Sequence, residues 1–153
     1  MRNLRTALSL LVLVLSLAAC AQQSPQADLQ TVASVKDIME SLVAHMATDV
    51  FASVGTIIDE KGAREIAPEN DEAWTEVRYA AMGLAETGNL LMLEGLAKDQ
   101  EDWMLFSQQL RDRSVEAAKA ADARNADQLL DAGGRIYEVC ENCHRKYIPS
   151  DPQ

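Results

Sequence analysis

Two thiols and an imidazole fall within five residues near one end of this 153-residue chain, in Cys140-Glu141-Asn142-Cys143-His144. On an α-helix, residues three and four apart lie on one face, so Cys140, Cys143 and His144 would converge. C-x-x-C-H is the spacing of c-type haem attachment. The two thiols add across the two vinyl groups of one porphyrin, and the imidazole reaches the iron at its centre. Other chemistries share part of the pattern. Zinc would need a fourth ligand. Outside the motif only His45 or a carboxylate could supply it, because no second cysteine pair exists. A thioredoxin-like site would want a βαβ setting, and a plain disulfide needs only the two cysteines.

The remaining cysteine lies near the other end. Arg2 and Arg5 precede an apolar run over residues 7–17, which closes with Leu17-Ala18-Ala19-Cys20. The run has the length of a signal h-region and falls short of the about 20 residues of a membrane-spanning helix. The tetrapeptide resembles the lipobox of bacterial lipoproteins, in which the cysteine becomes the lipidated N-terminus. Ordinary cleavage after Ala19 or Ala21 is the alternative. Residues 1–19 are therefore expected to be a signal peptide, and 20–30 a lipidated tether rich in Gln and Ser with Pro25. Residues 31–153 are expected to form one domain. The protein is expected to be exported and anchored by lipid at Cys20 to a bacterial membrane, on its periplasmic side. One cysteine goes to lipid and two to haem, and none is left for a disulfide.

Acidic residues outnumber basic ones by 24 to 14. This argues against a nucleic-acid partner, which is held by basic surface, and favours basic protein partners.

The haem must be held by helices. Val32, Val35, Met39, Leu42 and Met46 step by three and four, and Val50, Val54 and Ile57 continue the stripe, which predicts a first helix over about 29–60. Asn70 or Asp71 caps a second, with Trp74, Val77, Ala81, Leu84, Gly88 and Leu91 on one face; Gly83 and Gly88 would let a neighbour approach closely. A third, about 101–123, carries Trp103, Phe106, Leu110, Ala117 and Ala121 inward. Asn125 and Gln128 resemble a capping box for a fourth, about 126–147, ended by Pro149 and Pro152. Leu129, Gly133, Ile136, Cys140, Cys143, His144 and Tyr147 share its inner side. No segment reads as strand. The expected fold is an all-α, antiparallel four-helix bundle with covalent haem near the last helix.

With the motif, this arrangement resembles the class II c-type cytochromes, the cytochrome c′ and cytochrome c-556 family. That motif runs on as C-x-x-C-H-x-x-Y-R. Tyr147 is kept here, but Ile148 stands where arginine is usual, so Arg145 or Lys146 would contact the haem propionates in its place. The resemblance implies one haem c with His144 as proximal ligand. A methionine of the first helix would be the sixth ligand, with a second methionine seven residues later, a spacing that Met39 and Met46 share. Met46 and His45 are expected to be packing and surface residues. The function implied is one-electron transfer between redox partner proteins, with no catalysis. The alternatives are a five-coordinate protein binding NO or CO, with Met39 a distal wall, and a haem-free zinc-binding or structural lipoprotein. A homodimer is left open.

Overall fold

In the computed structural model, which describes residues 30–148, the order along the chain is helix, hairpin, then three helices. The chain divides into two units, Met1–Gln30 and Thr31–Gln153, and all described residues but Gln30 belong to the second. The expected signal peptide, Cys20, the tether up to residue 29 and the stop at Pro149 and Pro152 lie outside the described residues.

The first helix starts later than its apolar stripe suggests. Ser34 is its N-cap: the hydroxyl accepts from the Asp37 amide at 3.1 Å, and the Asp37 carboxylate accepts in return from the Ser34 amide at 3.1 Å. This is a capping box with Asp in the usual Glu position. Val32, counted on the stripe, lies outside the helix and is 99% exposed. The helix, α1 (35–52), has three pieces: α-helical Val35–Ile38, π-helical Met39–Val43 and α-helical Ala44–Ala52. In the middle piece the Ala44 amide reaches back five residues to the Met39 carbonyl. The Ser41 hydroxyl donates to the Asp37 carbonyl at 2.5 Å within this stretch.

The helix expected to continue to residue 60 ends at Ala52. A two-stranded antiparallel hairpin follows, β1 (Gly55–Asp59) and β2 (Gly62–Ile66), in the register Asp59↔Gly62 to Gly55↔Ile66. The reading that no segment forms strand is thereby corrected. Val50, Val54 and Ile57 imitate a helical step, but Thr56, Ile57 and Ile58 are β-branched and favour extended backbone. Asp59 accepts from the Lys61 amide at 2.9 Å, and Gly62 follows with φ +114, a conformation that side chains disfavour.

α2 (Asp71–Leu91), α3 (Asp102–Asp122) and α4 (Ala126–Tyr147) complete the four helices of the described residues, an arrangement compatible with a helical bundle. The Asn70 side chain accepts from Ala73 N–H at 2.9 Å, and Asn125 accepts from Gln128 N–H at 3.0 Å, as the capping pattern predicts. α2 lies along α3 and α3 along α4, while α1 leans on α2 and touches α4 lightly. Leu84, Leu129 and Ile136 are wholly enclosed, each contributing roughly 1.5–3 kcal/mol by burial. A β-carbon added at Gly88 would stand 2.8 Å from both the Arg111 amide and the Ser107 carbonyl, so α2 and α3 meet there backbone to backbone. Among the described residues no helix is long and apolar enough to cross a membrane.

Candidate functional site

Helix α4 presents Cys140, Cys143 and His144 along one side, as their spacing requires, and α1 and α3 face them. The three residues line a cavity of about 50 Å³ together with Met39 and Val43 of α1, Leu91 at the end of α2, Trp103, Phe106, Ser107 and Leu110 of α3, and Val139. The lining is apolar apart from the motif and Ser107. His144 is exposed at the edge of this space, and Cys140, Cys143 and Met39 are half-buried. Both thiols are free. Burial raises the Cys140 thiol, and burial with the neighbouring Cys140 pushes Cys143 up to about 11, so both stay protonated at neutral pH. On its other side the motif borders an open groove of about 560 Å³, lined by Phe51, Tyr137, Cys140, Glu141, His144 and Arg145. Phe51 and Tyr137 meet edge to face there, with ring centroids 6.4 Å apart.

The two methionines of α1 part company. Met39 lines the cavity. Met46 lies over α2, its sulfur 2.6 Å from the point a Gly83 β-carbon would take. A turn that closes five residues back rotates everything after it relative to an α-helix. Seven-residue spacing therefore does not bring Met46 beside the motif. His45 is exposed and borders neither space.

The basic residues near the motif have partners. Lys146 is paired with Asp102, Arg145 donates to Asn142 at 3.0 Å, and Arg135 pairs with Glu116 at 3.1 Å. Arg145 borders the groove, while Lys146 and Arg135 border neither space.

Sequence reasoning passed over Asp99. One oxygen of its carboxylate accepts from the Glu101 amide at 2.9 Å and the Trp103 amide at 3.0 Å, and the other accepts the Tyr147 hydroxyl. Tyr147 in turn rests edge-on against Trp103 and Phe106, at 5.1 and 6.5 Å between centroids. The Trp103 indole N–H donates to the Leu91 carbonyl at 2.7 Å. Asp99 and Tyr147 are 48 residues apart, so no local spacing could have paired them; the available signal was an aspartate two to four residues before a helix start.

No protein-family model, curated protein or solved structure matches this chain. Two protonated thiols and an imidazole on one helix face, with a thioether across an apolar space, suit a haem held by two thioether bonds and axial ligands. The cavity alone is too small, since pockets for drug-sized ligands run to about 300–1,000 Å³. Cys140 and His144 border both the cavity and the larger groove, and α1 is the wall with least to hold it. For zinc, among the described residues no three His, Cys, Asp or Glu side chains come together as a metal site.

Proposed function

We propose that this chain is a c-type cytochrome of the class II kind, carrying one covalent haem c and transferring single electrons between redox partner proteins. The observation that carries the reading is the meeting of Met39 with Cys140, Cys143 and His144 around one apolar cavity. Met39 and His144, far apart in sequence, would supply a thioether and an imidazole to the same space. When bound, the haem would supply a one-electron ferric–ferrous couple.

The chain's own residues account for the remaining requirements. Cys140 and Cys143 offer their thiols on the side of α4 that faces α1 and α3. His144, one residue further, offers its imidazole at the edge of the same space. Met39 offers a flexible, polarisable side chain from the widened turn of α1, able to span an imperfect distance. Trp103, Phe106, Leu110 and Val139 keep the surroundings apolar, and a thioether opposite histidine in such surroundings favours the reduced state. Arg145, at the rim of the groove, is the base placed to meet a propionate. The site needs no proton-transfer group, in keeping with electron transfer rather than catalysis. By the same reading, Cys20 carries lipid and holds the protein at the periplasmic face of a membrane.

Acid–acetone extraction of protein made with a cytochrome maturation system tests the attachment. The pigment should stay with the wild-type protein and be extractable or absent from the Cys140→Ala/Cys143→Ala variant. Pigment that leaves the wild type would refute the proposal.

A further inference from the structure

The last turn of a helix is where fraying begins, and His144 sits one turn from the end of α4. Its neighbours are held by an unusual arrangement. Asp99 belongs to the connection before α3, yet its carboxylate is fixed from both sides. One oxygen is engaged by two amides at the start of α3, and the other receives the Tyr147 hydroxyl. The Tyr147 ring lies against Trp103 and Phe106, the two aromatic residues that also line the cavity. The adjacent Lys146 pairs with Asp102 at the first residue of α3. The end of α4 is thus tied to the start of α3 at three points, whereas α1 has only light contact with α4.

We propose that Asp99 and Tyr147 are positioning residues. Their hydrogen bond holds the turn bearing Cys143 and His144 at a fixed rotation against Trp103 and Phe106, so that the imidazole keeps one orientation toward the cavity. Neither residue lines the cavity, and both act through His144. The proposal rests on the reading of His144 as the iron ligand. It adds that this ligand's orientation is set from the connection between α2 and α3 and not from α4 alone.

Tyr147→Phe keeps the ring contacts and removes the hydroxyl. Asp99→Asn keeps one oxygen for the two amides and turns an N–H toward the phenol. Hydrogen exchange on the protein as purified should show the amides of 143–147 exchanging about tenfold faster or more in each variant, the order expected for losing a hydrogen bond to a charged group. The amides of 110–120 should keep their wild-type rates, and the double variant should exchange no faster than either single one. Unchanged exchange at 143–147, or additive effects, would overturn the proposal. In the haem-loaded protein both variants should shift the reduction potential by the same amount, without addition in the double variant. A potential identical to wild type despite faster exchange would overturn the positioning role, leaving a purely structural contact. The exchange arm reads the same whether or not haem is attached. Failure of the haem reading would appear separately, as pigment missing from or extractable from the wild type.

Discussion

At Gly88 two helices meet with nothing between their backbones; at Met39 two helices stand apart with a cavity between them. Both regions belong to one mostly helical unit and share α3 as a wall. On the α2 side α3 offers Ser107, and α2 offers a glycine, so the chains close to contact distance. On the α1 side α3 offers Trp103, Phe106 and Leu110, and α1 offers a turn widened by one residue. Bulky residues and a π-helical turn prevent close packing there. Such turns are frequent at functional sites. The contrast separates a closely packed seam from a lined cavity.

The sharpest way to break the seam is Gly88→Ala. The new methyl would press on the Arg111 amide and the Ser107 carbonyl, neither of which can move without the helix. Overpacking of this kind costs about 1–3 kcal/mol, and thermal unfolding should show a clear drop in Tm. Gly83→Ala is its control. There the obstacle is the end of the Met46 side chain, which can swing aside, while alanine favours the helix by about 1 kcal/mol. Its Tm should stay near wild type.

A smaller effect is expected for Met46→Ala. Met46 is half-buried, so the loss should fall below the about 2–5 kcal/mol of a fully buried methionine, and haem ligation should be untouched. Chemical denaturation and the absorption spectrum read the two together. Smaller again, and opposite in sign, is Ser114→Ala. Ser114 is fully buried on α3, and its hydroxyl has no hydrogen-bond partner among the described residues. Removing an unsatisfied hydroxyl should stabilise the protein by about 1 kcal/mol, seen as a higher denaturation midpoint.

The smallest expected effect is local and pH-dependent. Asp99 has its pKa lowered, chiefly by the Tyr147 hydroxyl and next by the Trp103 amide. A carboxyl with a depressed pKa in the folded state contributes stability above its ordinary value of 3.8 and loses it as pH falls through the depressed value. Protection of the amides at 143–147, taken as exchange relative to the intrinsic rate at the same pH, should therefore fall as pH drops below about 4, before protection around Gly88 responds.

The helices on the seam side were legible because each signal is local. Asn70 and Asn125 cap, Gly88 marks close approach, and the stripes of α2, α3 and α4 keep one period from end to end. The α1 side was harder to read for physical reasons. Its stripe runs on into the hairpin because Val54 and Ile57 continue a helical step, although Thr56-Ile57-Ile58 and Gly62 carried a strand-and-turn signal. The π-helical turn shifts the stripe by one residue, and the spacing of apolar residues carries no sign of it. At the site, the motif placed Cys140, Cys143 and His144 on one face, and the family resemblance placed Met39 opposite them. Asp99 was invisible because its partner Tyr147 reaches it only through the tertiary fold.

On the proposed function, Met39 and His144 would both hold the iron of one covalent haem. The most direct measurement is the ferric absorption spectrum of the wild type beside that of Met39→Ala. The wild type should be low-spin, with the weak long-wavelength sulfur-to-iron band of a methionine ligand. Met39→Ala should lose that band, show a lower potential and bind carbon monoxide readily in the ferrous state. A wild type already high-spin, or one whose band survives in Met39→Ala, would contradict it; rapid carbon monoxide binding by the wild type would instead point to the five-coordinate, gas-binding alternative.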